Sequence, residues 1–375
     1  MNAAAVLDRS ADGDRSSLAQ ALLRAMPYTR LVDGGMDAGD ARELAAGVLA
    51  GYRWDELAER LASSRLNQAS EAGQRARTVT RAEALRKSAA AFNFAQMSFS
   101  QDLPRKAALY ERFSETIAEL AKDSDGTIRR VDVPFRDGSL GGWLCVPAAS
   151  TRPIATVVLW GGLSGWGATY LKSADALNRR GIACLLAEGP GQGTPRLRDR
   201  MYLGEDFVAG FAALVAAARD QPGLGGPVGV QGNSFGGLIA AHVAASDPQI
   251  RACVINGAPA SPELPPFRMP REQMLSALGT TDPTEAERLL SAMAFDPAHQ
   301  RIGCPLLVLQ GGADPLATPA AQAPFLAAGA PELTSQLSWD DGEHTLYNHA
   351  DDRDAAVADW FVDALAPAAA QSMKG

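Results

Sequence analysis

The sequence predicts an α/β protein in which helices cover both faces of a mostly parallel, doubly wound sheet, with a helical domain ahead of it. From about residue 127 onward, continuous apolar runs of strand length alternate with helical patterns, which is typical of a buried parallel sheet. Before that point, apolar residues recur at helical spacing. The 375 residues are more than one small core needs, so we expect two domains, 1–126 and 127–375.

The first predicted domain consists of helices. Asp40, Thr80 and Asp102 stand where helix N-caps are preferred. The helices are predicted at residues 17–26, 40–51, 54–69, 81–99 and 104–122. The segment DSDG at 123–126 ends this region, and residues 1–14 are predicted to be disordered.

The second predicted domain begins with a β-hairpin, because an Asp137–Gly138 pair separates two strand-like runs. A final helix is predicted at 352–365. Residues 258–300, rich in proline and polar side chains, interrupt the alternation and are predicted to form a lid-like insertion. The later strands are predicted at residues 155–162, 182–189, 227–232, 250–257, 304–312 and 335–339.

Composition and charge argue against several classes of partner. With a net charge of −8, we expect neither nucleic acid nor an anionic membrane surface as partner, and small neutral or cationic substrates remain open. Without an apolar signal-peptide core or a membrane-length apolar run, we expect a cytoplasmic protein. No phosphate-binding or metal-ligand motif occurs, so neither a cofactor nor a metal is predicted. The four cysteines, predicted to be buried thiols, are Cys145, Cys184, Cys253 and Cys304.

Ser234 lies in a tight corner between a predicted strand and a predicted helix, in the segment GNSFGG. Glycines two positions before and after it allow the strand and the helix to approach closely, as in the G-x-S-x-G nucleophile elbow. The backbone N–H of Phe235 would then face an oxyanion formed by attack of the serine. The alternative interpretation is a glycine-rich turn with a serine that caps the helix.

A serine nucleophile needs a base and an acid that orients the base. We predict that His344, in a loop after the last strand, is the base, with His349 as the fallback. His242 is expected to be structural. Asp314 follows the strand at 304–312 and is the predicted acid, its alternative role being a turn-forming residue before proline. The chain order serine, aspartate, histidine is that of α/β hydrolases.

Other site residues are predicted from the neighbouring loops. The backbone N–H of Leu163, in the glycine-rich loop 161–165, is the predicted second oxyanion donor. The glycine-rich segment 188–193 is interpreted as a structural loop beside the site. Candidate substrate contacts are Trp160 and Trp166, which flank the oxyanion loop, and Glu263 in the predicted lid. Asn93 and Gln96, which share one helix face, are further candidates, their alternative being a solvated face.

The motifs GNSFGG, AEGPGQG, LQGGADP and DGEH resemble the α/β-hydrolase family over about residues 127–365. The segment from residue 80 to 126 resembles the helical region of a narrower group, which includes 2,6-dihydroxypseudooxynicotine hydrolase, fungal polyketide-shortening hydrolases and FrsA-like esterases. This resemblance implies cleavage of a C–C bond or an ester in an aromatic or polyketide-like substrate, a helical cap over the active site, and a homodimer. Phe92-Asn93-Phe94 stands where the group leads us to expect tyrosine-rich sequence, so substrate specificity is not carried over.

Three functions remain open from the sequence. The favoured one is a serine hydrolase that acts through an acyl-enzyme on a ketone or an ester. A second is an acyltransferase or cyclase that uses the same three residues with an acceptor other than water. A third is a non-catalytic binding protein with a hydrolase fold.

Overall fold

The computed structural model of the chain describes residues 9–148 and 152–365, with side chains from residue 17 onward. The chain divides into two compact units, Met1–Ile117 and Ala118–Gly375. The predicted boundary after residue 126 lies in the turn between the last helix of the first unit and the first strand. Among the described residues, no helix has both the length and the apolar character that crossing a membrane requires.

The described part of the first unit is helical, as its sequence pattern predicts. Its helices are α1 (Arg9–Ala25), α2 (Tyr28–Asp33), α3 (Ala38–Leu49), α4 (Trp54–Gln74), α5 (Thr78–Met97) and α6 (Pro104–Lys122), which continues into the second unit. Helices α4 and α5 pack side by side, and the Trp54 indole N–H donates to the Phe94 carbonyl at 2.9 Å. Helix α2 has no sequence prediction because six residues are too few for a helical period to show.

Residues 9–14, predicted to be disordered, are helical in α1, whereas residues 1–8 of that prediction lie outside the described residues. Each residue added to an existing helix gains one backbone hydrogen bond, so the turns ahead of the predicted helix can extend it.

Eight strands of the described second unit form one sheet in the order β1-β2-β4-β3-β5-β6-β7-β8. The strands are β1 (Ile128–Phe135), β2 (Gly138–Cys145), β3 (Ala155–Trp160), β4 (Ile182–Glu188), β5 (Val228–Asn233), β6 (Ile250–Asn256), β7 (Leu306–Gly311) and β8 (Thr334–Trp339). The first two strands form the predicted hairpin, and β2 also pairs antiparallel with β4. All the other pairs are parallel, which confirms the predicted sheet.

Helices of the second unit cover the sheet. They are α7 (Leu171–Asn178), α8 (Gly193–Leu197), α9 (Phe207–Arg219), α10 (Phe235–Ser246), α11 (Arg268–Leu278), α12 (Pro283–Ala292), α13 (Pro319–Ala328) and α14 (Ala350–Leu365). Val228 and Val230 share a core cluster with residues of α9 and α10. Gly229, which points to the opposite face because strand residues alternate, lies against Phe361 of α14. Both faces of the sheet are therefore covered.

The predicted insertion 258–300 contains α11 and α12 and packs on this same core. Met274, Leu278 and Leu290 are buried in the core cluster, and the Leu203 N–H donates to the Ala277 carbonyl at 2.8 Å. The segment is thus tied to the second unit by both apolar burial and backbone hydrogen bonding. Its action as a lid stays a prediction.

The parallel register brings several strand ends to one edge of the sheet. Trp160 of β3 pairs with Gly232 of β5, and Asn233 pairs with Asn256 of β6. The ends of β7 and β8 align in the same way. Because the loops after these strands leave from a common edge, residues from distant parts of the chain meet there. None of the four cysteines, all within the described residues, forms a disulfide, and all four are buried, as predicted.

His242 is a buried structural residue of α10, as predicted. Its Nε2 lies 2.9 Å from the Met293 carbonyl and its Nδ1 lies 2.8 Å from the Gln300 side-chain amide. The rings of Phe207 and Phe295 pack edge-on against it. Burial lowers the pKa of His242 below its ordinary value, although the bond to the Met293 carbonyl opposes this. The folded protein therefore favours the neutral imidazole.

This lowered pKa predicts a loss of stability in acid. Below the unfolded-state pKa of about 6.5, the unfolded chain binds a proton more readily than folded His242 does, so the free energy of unfolding falls as the pH falls. Between about pH 7.5 and about pH 5.5, this residue accounts for a loss of at most about 1.4 kcal/mol. Urea unfolding of the wild type and His242→Gln at both pH values measures it. The variant should lose less stability on acidification than the wild type, and an equal loss in the two proteins would contradict this role of His242.

Candidate active site

Ser234 occupies a strained corner between β5 and α10. Its backbone has φ 56° and ψ −135°, a region that glycine normally takes. A Cβ on Gly232 would collide with the Gly236 carbonyl, so only glycine fits there. The Ser234 N–H donates to the Asn256 carbonyl at 2.8 Å, and the Gly237 N–H donates to the Ser234 carbonyl at 2.7 Å. These contacts hold the half-buried serine at the N-terminus of α10.

The structure brings Ser234, His344 and Asp314 together in one hydrogen-bonded chain. The Ser234 Oγ lies 2.8 Å from Nε2 of His344. On the other side of the ring, Nδ1 lies 2.9 Å from Oδ2 and 3.0 Å from Oδ1 of Asp314. The imidazole is 15% exposed, whereas the carboxylate is fully buried. A solvent-accessible serine is thus connected through an imidazole to a buried acid.

The charge of Asp314 determines the proton positions in this chain. Burial alone would raise the pKa of the Asp314 carboxyl, but the bonds from His344 and from the Leu316 and Ala317 amides outweigh it and hold the pKa below its ordinary value. An ionised carboxylate only accepts hydrogen bonds, so Nδ1–H of His344 donates to it. Nε2 is then free to accept the proton of the Ser234 hydroxyl.

The loop that carries His344 is itself strained. Thr345 and Leu346 have φ values of 51° and 64°. The Thr345 carbonyl accepts from Asn256 Nδ2 at 3.1 Å and from Arg353 Nη1 at 2.9 Å. Asn256 Nδ2 also donates to the Asn233 side chain at 2.8 Å. Asn256 therefore contacts the residue before Ser234 and the residue after His344.

The loop after β3 approaches the corner at Gly162. A Cβ placed on Gly162 would lie 2.9 Å from the Ser234 Cβ and 3.1 Å from the Phe235 nitrogen. Phe235 is the first residue of α10, where the backbone N–H has no partner within the helix. The predicted donor Leu163 follows Gly162 directly and is half-buried. The loop is thus adjacent to the corner, and the assignment of the second donor to Leu163 stays a prediction.

The two tryptophans beside this loop are fully buried. The Trp160 indole N–H donates to the Gly236 carbonyl at 2.8 Å, and the ring packs on Phe211. A role of Trp160 as a substrate contact stays a prediction. The Trp166 indole N–H donates to the Gly162 carbonyl at 3.2 Å.

The remaining predicted contacts fall in different places. Asn93 and Gln96 are fully buried in the first unit, where Gln96 Nε2 donates to Asn93 Oδ1 at 3.2 Å, so their alternative as a solvated face is wrong. Glu263 is exposed in the segment between β6 and α11. The fallback base His349 pairs with Asp341 at 2.8 Å. Within the described ranges, no group of three or more His, Cys, Asp or Glu residues is arranged to hold a metal ion.

Comparisons with known proteins find hydrolases of similar sequence. A family model described as serine aminopeptidase, S33, matches residues 151–291, which include Ser234 but end before Asp314 and His344. The alpha/beta hydrolase gkaG of Penicillium citrinum is 32% identical over 54% of this chain and 49% of its own length. The 2,6-dihydropseudooxynicotine hydrolase of Paenarthrobacter nicotinovorans is 23% identical over 72% of each chain. The chain is therefore similar in sequence to α/β hydrolases.

A solved structure extends the likeness across nearly the whole chain. The crystal structure of 2,6-dihydroxy-pseudo-oxynicotine hydrolase covers 90% of this chain and 96% of its own, with a TM-score of 0.81 and 20% identity. At that identity the match shows the fold, and it confirms the α/β-hydrolase architecture predicted from the sequence. The matches to fungal relatives such as gkaG span about half of those proteins.

The backbone strain at residue 234 predicts that glycine is more stabilising than alanine there, which is the reverse of their order within a helix. Ser234→Gly should be more stable than Ser234→Ala by about 1 kcal/mol, because glycine takes this conformation without strain. At Ser276, within helix α11, alanine should instead be more stable than glycine by about 1 kcal/mol. Chemical denaturation of the four variants measures both differences. Equal or greater stability of Ser234→Ala relative to Ser234→Gly would show that the corner is unstrained.

Proposed function

We propose that this protein is an α/β hydrolase that cleaves an ester or a ketone C–C bond through an acyl-enzyme on Ser234, with an aromatic or polyketide-like small molecule as substrate. The observation that carries the proposal is the chain of hydrogen bonds from the Ser234 hydroxyl through His344 to the ionised Asp314. Serine becomes an effective nucleophile when an oriented base accepts its proton.

In the proposed reaction, Nε2 of His344 accepts the hydroxyl proton while Oγ attacks the substrate carbonyl carbon. The carbonyl electron pair moves to oxygen, where the Phe235 N–H and an N–H of the 161–165 loop stabilise it. The intermediate collapses, and His344 returns its proton to the leaving atom. Water then attacks the acyl-enzyme and gives its proton to His344, which releases the acid and restores Ser234. Asp314 stays ionised throughout.

The two kinds of substrate differ in their leaving group. An ester releases an alcohol, whereas cleavage of a C–C bond releases a carbon that must be stabilised as an enol or an electron-rich ring. A relative named as a hydrolase of 2,6-dihydropseudooxynicotine supports a small organic substrate. The roles of Trp160, Trp166, Glu263, Asn93 and Gln96 as substrate contacts stay predictions. The homodimer and the cytoplasmic location stay predictions.

The acyl-enzyme predicts a covalent adduct at one residue. Incubation with a panel of aryl esters, acyl-phenols and β-diketones should produce an adduct by intact-mass analysis, and peptide mapping should locate it at Ser234. Ser234→Ala should lose the adduct and at least about 10⁴-fold in kcat. Ser246→Ala, at the exposed end of the same helix, is the matched control and should retain activity.

Isotopically labelled water separates hydrolysis from transfer to another acceptor. Hydrolysis places one solvent oxygen in the acid product, whereas an acyltransferase or cyclase releases a product without it. An adduct that maps to another residue would overturn the site. Unchanged function in Ser234→Ala would instead indicate a binding protein.

The proposed role of Asp314 predicts that replacing it lowers kcat, whereas replacing another aspartate that pairs with a histidine does not. Asp314→Asn should reduce kcat by about 10⁴-fold, because an amide cannot hold His344 in the required tautomer or stabilise its charge. Asp341→Asn, which alters the exposed pair with His349, should leave kcat unchanged. Steady-state kinetics on the best substrate of the panel measures both. Comparable losses in the two variants would contradict a specific role for Asp314.

A further inference from the structure

We propose that Gln192 is a positioning residue for the oxyanion-binding loop. Its side-chain amide holds the carbonyls of Gly161 and Gly162, so that the N–H groups of Gly162 and Leu163 are presented to Ser234. The inference rests on the proposed acyl-enzyme reaction. It assigns a role in that reaction to a residue of the segment 188–193, which the sequence shows only to be glycine-rich.

The side chain of Gln192 is buried and hydrogen-bonded at both ends. It is 2% exposed and lies in the loop between β4 and α8. Its Nε2 lies 2.6 Å from the Gly161 carbonyl oxygen and 3.4 Å from that of Gly162. Its Oε1 accepts from the Gly189 N–H at 3.3 Å. One amide group therefore connects its own loop to two successive carbonyls of the loop beside Ser234.

Peptide geometry converts these contacts into an orientation of the N–H groups. In a trans peptide, the N–H of one residue points away from the carbonyl of the residue before it. Holding the Gly161 carbonyl thus directs the Gly162 N–H to the opposite side, and holding the Gly162 carbonyl does the same for Leu163. The Trp166 indole supports the second carbonyl at 3.2 Å. Gly162 itself lies next to Ser234 and Phe235.

The two glycines make such support necessary. Glycine permits close approach of the backbone but also allows many backbone conformations. Oxyanion donors act by being oriented before charge develops, so a loop that reorients during the reaction loses much of their effect. A hydrogen-bond donor behind the loop limits this freedom without occupying the space in front of Ser234.

The test compares Gln192→Met and Gln192→Glu with the wild type. Methionine keeps the length of the side chain, and glutamate keeps its shape, but both lack the donating N–H groups. With the best ester of the panel, kcat should fall about 10- to 10³-fold while KM changes by less than about threefold. Binding of a trifluoromethyl ketone, whose adduct carries an oxyanion, should weaken by the same factor as kcat/KM.

Gln300→Met is the matched control. Gln300 also bridges two segments of the second unit, since it contacts His242 and accepts from the Asp296 N–H. Loss of its amide should leave kcat and trifluoromethyl ketone binding unchanged. A kcat within about threefold of wild type in either folded Gln192 variant would overturn the inference, as would equal losses in Gln300→Met.

Failure of the proposed function gives a different result. In that case the wild type forms no acyl adduct with any compound of the panel, whatever residue stands at 192. Crystal structures of the wild type and Gln192→Glu then test whether Gln192 orients the loop, without any measurement of activity. Reoriented carbonyls at Gly161 and Gly162 in the variant would support it, and unchanged carbonyls would overturn it.

Discussion

The left-handed backbone of Ser234 is the constraint on which the candidate site depends. A residue with a side chain in this conformation costs about 1–3 kcal/mol, so its surroundings must impose it. They do so through the carbonyl of Asn256, the N–H of Gly237 and the lack of space for any side chain at Gly232. This conformation places the Ser234 hydroxyl at the N-terminus of α10, 2.8 Å from Nε2 of His344.

The proposed base is supported by the same strand end as the proposed nucleophile. Asn256 accepts from the Ser234 N–H through its backbone and donates to the Thr345 carbonyl through its side chain. Buried Arg353 supports that carbonyl too, and its guanidinium bonds to Asp354, which accepts from Ser173. The end of β6 therefore supports both partners of the 2.8 Å contact, and a shift there would disturb both.

Sequence patterns predicted the sheet and the three proposed catalytic residues because each leaves a local signature. Glycines two positions either side of Ser234 indicate the corner, and apolar runs ahead of Asp314 and His344 place them at strand ends. Asn256 and Gln192 leave no such signature, since their partners are backbone carbonyls distant in the chain. The same holds for the bond from the Trp160 indole, whose partner, the Gly236 carbonyl, is 76 residues away.

In the proposed reaction, buried polar side chains behind the site help to determine which backbone N–H groups face the substrate. A buried carbonyl needs a hydrogen-bond donor, and here side chains supply it: Gln192 for Gly161, Trp166 for Gly162 and Asn256 for Thr345. Since every carbonyl so held directs the next N–H to the other side, satisfying acceptors behind the loop is also a way to orient donors in front of it. Fold stability and the proposed oxyanion binding thus place the same requirement on Gln192 and Trp166, which is why polar changes at these side chains should alter kcat more than KM.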